Sequence, residues 1–244
     1  MNMMQSESKI ALLIDADNAP SPKIDAILAE VAKYGVANIR RAYGNWKNSN
    51  LRGWESCLHD YAIQPIQQFD YTKGKNATDA ALIIDAMDLL YTQKLDAFAL
   101  VSSDCDFTPL VMRILTSGLK VYGFGEKKTP APFVSACSIF LYLETIDQLA
   151  DIEASKMSTN ERKTPQELKQ DTKLMNLLRG AVSSTREDDG WSRLSVIGAH
   201  IANQASFESR NYGYAKLSSM FEAIDLFEMR RKDKGVYVKT KKKK

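Results

Sequence analysis

Short apolar runs alternate with segments of helical periodicity over residues 10–143. Apolar residues recur at helical spacing between the runs, as in Ile24, Ile27 and Val31, which follow the helix-starting pair Ser21-Pro22. Strands that are separated by single helices form parallel sheets with right-handed crossovers. The pattern therefore predicts an α/β fold with a central parallel sheet and helices on both faces. The predicted strands are 10–14, 36–43, 63–69, 97–102, 119–124 and 139–143.

The pattern changes after residue 146. Residues 147–166 are polar, charged and nearly free of large apolar side chains, so we expect a linker there. Residues 167–244 contain three helical stripes and two alternating segments around the turn 232–235. This arrangement predicts a small winged-helix domain. The predicted organisation is a domain over 1–146, a linker over 147–166 and a second domain over 167–244.

Composition narrows the class of protein. The chain has 244 residues, of which 44% are hydrophobic, and no apolar run approaches the roughly 18 residues of a membrane span. Met1–Lys9 is polar and lacks a secretory hydrophobic segment. Cys57, Cys105 and Cys137 are scattered and odd in number, which is typical of a reducing compartment. We therefore expect a cytoplasmic protein that does not associate with a membrane.

The charge is unevenly distributed. Residues 1–150 carry 14 Lys and Arg against 17 Asp and Glu, whereas residues 151–244 carry 19 against 13. Arg230–Lys244 alone holds nine basic residues and one acid. A basic segment beside an acidic domain favours a polyanionic partner such as RNA, although a basic tail can also serve only solubility.

Four aspartates lie at the ends of apolar runs or at the start of a helical stripe. Asp15 ends the first run, Asp104 and Asp106 follow the fourth run, and Asp79 begins a helical stripe. Because ligands bind beyond the carboxyl ends of strands in open α/β sheets, we expect these side chains to converge. Two carboxylates 4 Å apart repel by about 4 kcal/mol at an effective dielectric constant near 20. The cluster therefore requires a cation or a shared proton, and oxygen ligands favour Mg²⁺ or Mn²⁺ over zinc.

Two of these acids also have an ordinary structural explanation. Asp79 lies in a first helical turn, where it can cap backbone groups, and Asp106 can cap the helix that begins at Phe107. At 100° per residue, Asp79 lies on the buried stripe of its helix, whereas Asp85 and Asp88 fall on the opposite face. Spacing alone therefore predicts that Asp85 and Asp88 are solvated.

Polar and basic residues near these acids are candidates for substrate binding. Asn18 and Ser102 flank the acids and are expected to orient water or phosphate. The basic and aromatic candidates are expected to bind the nucleic-acid backbone or to stack on a base. Packing of the aromatic residue and solvation of the basic loop are the alternatives. These candidates are Arg40, Arg41, Trp46, Lys47 and Lys75.

Several ordered motifs resemble the NYN family, the LabA-like branch of the PIN-fold nucleases. The resemblance implies a PIN-like three-layer α/β/α sandwich and a Mg²⁺- or Mn²⁺-dependent ribonuclease site. By motif, it places the metal-binding and catalytic acids at Asp15, Asp79, Asp104 and Asp106. Asp85 also matches a position that the family favours, in conflict with its predicted solvation. The matching motifs are Ala11–Asn18, Tyr43–Trp46, Gly74–Asp79, Ser102–Phe107 and Val121–Gly125.

The C-terminal part resembles an OST-HTH, or LOTUS, domain. The resemblance is carried by Gly190-Trp191, Leu194–Gly198 and Arg210–Leu217. It implies an RNA-binding module, although some relatives bind protein instead. Arg210 and Lys216 are therefore expected to lie on an RNA-binding face, together with Arg230, Arg231 and Lys234.

Three functions remain open from the sequence. The first is a metal-dependent endoribonuclease with an appended RNA-binding winged helix. The second is a phosphatase of the haloacid-dehalogenase type, in which Asp15-Ala16-Asp17 would be the nucleophile motif. The third is a non-catalytic adaptor for RNA or protein.

Overall fold

The computed structural model of the protein describes residues 7–69, 77–146, 162–232 and 235–241. The chain divides into two compact units, residues 1–148 and 149–244. Lys75, Lys234 and residues 147–161 of the predicted linker lie outside the described residues.

A six-stranded, wholly parallel sheet forms the centre of the first unit. The strand order is β3-β2-β1-β4-β5-β6, which confirms the predicted α/β fold. The strands are β1 (Lys9–Asp15), β2 (Val36–Gly44), β3 (Gln64–Gln67), β4 (Ala97–Val101), β5 (Lys120–Gly125) and β6 (Ile139–Tyr142).

Helices cover both faces of this sheet. Alternate residues of β1 enter different cores, with Leu12 on the face that carries Trp54 and Leu13 on the face that carries Leu82. This arrangement confirms the three-layer sandwich. The sequence pattern did not predict α5, a short helix that begins after Pro130. The helices of this unit are α1 (Ile24–Val31), α2 (Arg52–Asp60), α3 (Ala77–Thr92), α4 (Thr108–Thr116) and α5 (Ala131–Ala136).

The strand order reverses direction between β1 and β4. Strands β2 and β3 are added on one side of β1, whereas β5 and β6 are added on the opposite side of the sheet, next to β4. Such a reversal leaves a crevice at the carboxyl ends of the two central strands, where ligands bind in open α/β sheets. The predicted acid Asp15 ends β1, and Asp104 follows β4.

The second unit combines helices with a three-stranded antiparallel sheet of order β7-β9-β8. The three predicted helices and the terminal hairpin are present, whereas α6 and β7 were not predicted. The elements are α6 (Pro165–Gln170), α7 (Thr172–Ser184), β7 (Ser192–Arg193), α8 (Leu194–Gln204), α9 (Leu217–Ala223), β8 (Phe227–Lys232) and β9 (Gly235–Thr240).

The last residues of the predicted linker are part of the second unit. Thr164 and Glu167 form a reciprocal capping box that starts α6. The Tyr214 hydroxyl donates to the carbonyl of Lys163 at 2.8 Å, and the guanidinium of Arg162 lies 4.0 Å from the centre of the Tyr214 ring. Residues 162–164 therefore contact the second unit, and the predicted linker boundaries stay a prediction. Polar composition did not predict these contacts, because two of them come from a residue that is distant in sequence.

None of the helices in the described parts of the chain is both long enough and apolar enough to cross a membrane.

Gly125 permits a close approach between β5 and the residues that follow β4. A Cβ atom at this position would lie 2.6 Å from the backbone oxygen of Ser102 and 2.7 Å from Oγ1 of Thr129. We therefore predict that Gly125→Ala lowers the free energy of unfolding of the first unit by about 1–3 kcal/mol in chemical denaturation.

Gly180→Ala is the matched control for this substitution. Gly180 lies inside α7, and a Cβ atom there would meet no atom within 4 Å. Alanine should raise the stability of the second unit by about 1 kcal/mol, because it has the higher helix propensity. If Gly125→Ala is as stable as the wild-type protein, the close approach at β5 does not constrain Ser102.

Candidate active site

Asp15 forms the buried centre of the site at the carboxyl end of β1. Its side chain is completely buried. Its Oδ2 atom accepts hydrogen bonds from Ser102 Oγ at 2.8 Å and from Asn18 Nδ2 at 2.9 Å. Ser102 Oγ also accepts a hydrogen bond from the backbone N–H of Asp104 at 3.1 Å. The ends of β1 and β4 are therefore tied together through one carboxylate and one hydroxyl.

The second oxygen of Asp15 has a different environment. Oδ1 is buried and has no hydrogen-bond partner among the described residues. Burial raises the pKa of Asp15, while the hydrogen bonds from Asn18 and Ser102 act in the opposite direction. A buried carboxylate oxygen without a donor is costly, and cation binding is one way to satisfy it.

Asp79 lies in the first turn of α3 and is largely buried. Burial raises its pKa from 3.8 to about 6, and the negative charges of Asp15, Asp104 and Asp106 add to the increase. The other three predicted acids therefore lie within electrostatic reach of Asp79. The neighbouring Thr78 hydroxyl donates to Asp17 Oδ2 at 2.8 Å, which ties the start of α3 to the loop after β1.

Asp104 and Asp106 flank a short 3₁₀ turn at Cys105–Phe107. Asp104, rather than Asp106, is the N-cap residue of this turn, and its Oδ1 atom accepts from the backbone N–H of Asp106 at 2.9 Å. Helix α4 begins at Thr108 and has Phe107 as its N-cap residue, so Asp106 is not the N-cap of a helix that begins at Phe107.

The acids are not gathered into one compact cage. Ligand atoms of Asp104, Cys105 and Asp106 lie within 4.8 Å of one another, and the described part of the chain contains no other such group of three. Asp15 and Asp79 extend this group as a wider acidic rim. Its carboxylate oxygens, including the unpartnered Asp15 Oδ1, suit a hard cation such as Mg²⁺ or Mn²⁺.

Asp85 is not solvated, contrary to the spacing argument. Its carboxylate accepts hydrogen bonds from the guanidinium of Arg41 and from the hydroxyl of Tyr43. Burial, followed by this hydrogen bond, raises the pKa of Tyr43. The helix face that spacing assigned to solvent is partly covered by side chains of β2. Asp88, one turn of the helix away, is exposed as predicted.

Several predicted RNA contacts have other partners. Arg40 donates to the carbonyls of Ala37 at 3.1 Å and Tyr61 at 2.9 Å, while Arg41 pairs with Asp85. The Trp46 indole N–H donates to the carbonyl of Ile66 at 3.0 Å. These contacts give Arg40, Arg41 and Trp46 roles within the fold. Lys47, in contrast, is exposed beside the carboxyl edge of the sheet.

Lys128 is a basic residue near the acids that the sequence reading missed. It lines a shallow pocket together with Asn18, Asp104 and Cys105. Its ammonium group forms an ion pair with Glu126, whose backbone N–H donates to Ser103 Oγ at 2.9 Å. Lys128 could have been predicted in the same way as the acids, since it also lies beyond the carboxyl end of a strand, β5.

The predicted basic face of the second unit contains many internal ion pairs. Arg210 Nε lies 3.1 Å from Glu208, and Arg231 pairs with Glu222. Lys216 is exposed at the N-cap position of α9. On the antiparallel sheet, the guanidinium of Arg230 lies 4.4 Å from the centre of the Trp191 ring.

The raised pKa of Asp79 makes stability depend on pH. Between pH 4 and 6 the folded protein retains a proton that the unfolded chain has already lost, so stability falls as pH rises through this window. In EDTA, we predict that the first unit loses on the order of 2 kcal/mol between about pH 4 and 7, measured by denaturant titration.

Asp79→Asn should remove this loss, whereas Asp88→Asn should retain it, because Asp88 is exposed on the same helix. An unchanged pH profile in the Asp79→Asn protein would show that Asp79 ionises normally.

Comparison with known proteins agrees with this arrangement. Residues 9–144 match the NYN domain family, and residues 168–239 match the OST-HTH/LOTUS domain family. The uncharacterized protein MJ0482 of Methanocaldococcus jannaschii is 27% identical over 129 residues, which are 50% of each protein. The chain thus spans about half the length of this curated relative.

A crystal structure of the Vibrio parahaemolyticus protein VPA0982, of unknown function, superposes with a TM-score of 0.48 and 20% identity. The match covers 58% of this chain and 96% of that one. The NYN match extends over more than half of the chain, and the predicted domain order is confirmed. The chain belongs to the NYN family of PIN-like nuclease domains, and an OST-HTH/LOTUS domain of an RNA-binding family follows its NYN domain.

Proposed function

We propose that this protein is a metal-dependent endoribonuclease that hydrolyses RNA phosphodiester bonds. The observation that carries the proposal is the acidic rim at the reversal of strand order, where Asp15 is buried and Asp79 has a pKa raised to about 6. Carboxylates held this close favour a divalent cation over mutual repulsion. The family assignment supports nuclease chemistry at this rim.

Asp15, Asp79, Asp104 and Asp106 would hold Mg²⁺ or Mn²⁺ through their carboxylate oxygens. When bound, such a cation activates a water molecule and stabilises the leaving oxygen of the phosphodiester. Ser102 and Asn18 fix the orientation of the Asp15 carboxylate through their hydrogen bonds. This fixed orientation limits the reorganisation that substrate binding would otherwise require.

Two basic residues are the favoured contacts for the substrate backbone within the described residues. Lys128 lines the pocket that also contains Asp104, and Lys47 is exposed after β2. Both can place an ammonium group near a phosphate. Lys128 would do so while it stays beside Glu126, whose Oε2 atom is buried. Lys75, in the loop before α3, remains a predicted contact from the sequence. Arg210 and Lys216 remain the predicted RNA contacts of the second domain.

The burial of Asp15 argues against the phosphatase alternative. A nucleophilic aspartate must reach a phosphorus atom, but Asp15 is completely buried and one of its oxygens is held by Ser102 and Asn18. The adaptor alternative is not separated by geometry, because a binding protein can retain the same acids. Turnover measurements distinguish it from the nuclease.

We predict that Asp104→Asn lowers the rate of RNA cleavage in Mn²⁺ by at least about 100-fold, because it removes a proposed metal ligand. RNA affinity measured in EDTA should remain within a few-fold of the wild-type value. Cleavage of a labelled single-stranded oligoribonucleotide, followed on denaturing gels, gives the rate.

Asp88→Asn is the matched control, because it removes the same charge from an exposed position of the same domain. It should retain wild-type activity. Equal rates in the wild-type and Asp104→Asn proteins would contradict the proposed site. If no condition gives metal-dependent cleavage by the wild-type protein, the adaptor function is favoured.

Removal of residues 162–244 tests the second domain. The first unit has its own two cores, so we expect the truncated protein to remain folded, which circular dichroism can verify. Its RNA affinity should fall, and the slope of log affinity against log salt should decrease by at least about 1, because phosphate contacts are lost. Unchanged affinity and slope would exclude an RNA-binding role for the second domain.

A further inference from the structure

An exposed aromatic ring lies beside the acidic edge of the sheet. Phe69 follows β3, and 44% of its surface is exposed. The ammonium group of Lys47 lies 4.9 Å from the centre of the Phe69 ring. An aromatic face and a cation are thus presented together to solvent.

Hydrogen bonds brace the two segments that carry this pair. The Gln67 side chain accepts from the backbone N–H of Trp46 and donates to Asn45 Oδ1, with both distances at 3.0 Å. The Trp46 indole N–H donates to the carbonyl of Ile66, and Gln68 N–H donates to the carbonyl of Gly44 at 3.1 Å. The loop after β2 is therefore fastened to β3, and Lys47 and Phe69 project from a rigid support.

This support adjoins the acidic rim. Asp15 is paired in register with Tyr43 of β2, and Tyr43 is paired with Ile66 of β3. A Cβ atom at Gly44 would lie 3.5 Å from Asp17 Oδ1, so the end of β2 touches the loop after β1. Because neighbouring strands are about 4.8 Å apart, the end of β3 lies roughly 10 Å from the end of β1.

We propose that Phe69 and Lys47 form a base-stacking subsite for one unpaired nucleotide of an RNA strand bound at the acidic rim. This proposal rests on the proposed nuclease function and assigns it single-stranded substrates. Phe69 stacks on the base, and Lys47 contacts the adjoining phosphate. In a duplex, both faces of each base are covered by its neighbours, so a duplex cannot use this ring.

The magnitudes favour this role over a purely structural one. A cation–π pair at an exposed site contributes only about 0.5–1 kcal/mol of stability. Stacking of a base on an aromatic side chain contributes about 1–3 kcal/mol. Stacking of a nucleotide base on Phe69 would therefore contribute more free energy than the Lys47–Phe69 contact alone.

The experiment compares the affinities of full-length variants for a labelled single-stranded oligoribonucleotide and for its duplex, by fluorescence anisotropy in EDTA. Phe69→Ala should weaken single-strand binding by about 5- to 150-fold and leave duplex binding unchanged. Phe69→Trp should restore single-strand binding, because indole also stacks.

Tyr91→Ala is the matched control. Tyr91 is 62% exposed near the end of α3, and the guanidinium of Arg113 lies 5.4 Å from the centre of its ring. It therefore has the same kind of exposed cation–π pair, but it lies at the end of α3 opposite to Asp79. Loss of this ring should not change RNA affinity.

Affinity in Phe69→Ala equal to that in Tyr91→Ala and the wild-type protein would overturn the subsite. Equal weakening of single-strand and duplex binding would also overturn it, because a stacking subsite distinguishes the two. Cleavage in Mn²⁺ separates this proposal from the nuclease proposal. Normal cleavage by Phe69→Ala with an unchanged KM refutes only the subsite, whereas stacking-dependent binding without any cleavage refutes only the nuclease.

Discussion

Repulsion among carboxylates at the reversal of strand order is the constraint on which the rest of the site depends. Asp15 ends a strand that is buried between two helical layers, and the hydrogen bond from Ser102 ties it to the end of β4. The carboxylates of Asp15 and Asp79 are buried and cannot relax into solvent as surface residues would, whereas Asp104 is half-buried and Asp106 is exposed. Burial and the neighbouring negative charges raise the pKa of Asp79. A bound divalent cation would reduce the repulsion among these carboxylates.

Another acid of the same domain, Asp85, has a different environment. Asp85 is satisfied internally by Arg41 and Tyr43, although it lies on the same helix as Asp79. Asp15 and Asp79 have no ion pair with a described lysine or arginine. This difference separates an acid that stabilises the fold from acids that are suited to ligand binding. It also connects the site with Lys47 and Lys128, the cations that remain exposed beside it.

Local patterns predicted the strands and placed Asp15 and Asp104 at or just beyond the ends of the two central strands, because apolar alternation and strand ends follow from nearby residues. They did not predict the environment of Asp85, which depends on β2 side chains more than 40 positions earlier in the chain. The contact between Phe69 and Lys47 was not predicted for a similar reason, since Lys47 belongs to another loop. Predictions failed where contacts between distant segments decide what a side chain does.

The most direct test of the account is a titration of the full-length protein with Mn²⁺, in which electron paramagnetic resonance reports the free ion. We predict saturable binding that is strongly weakened by Asp15→Asn and Asp104→Asn and is unchanged by Asp85→Asn. The three substitutions each remove one negative charge, so nonspecific electrostatics affects them alike. Binding that is absent from the wild-type protein, or equal in all four proteins, would contradict a divalent-cation site built from the acidic rim.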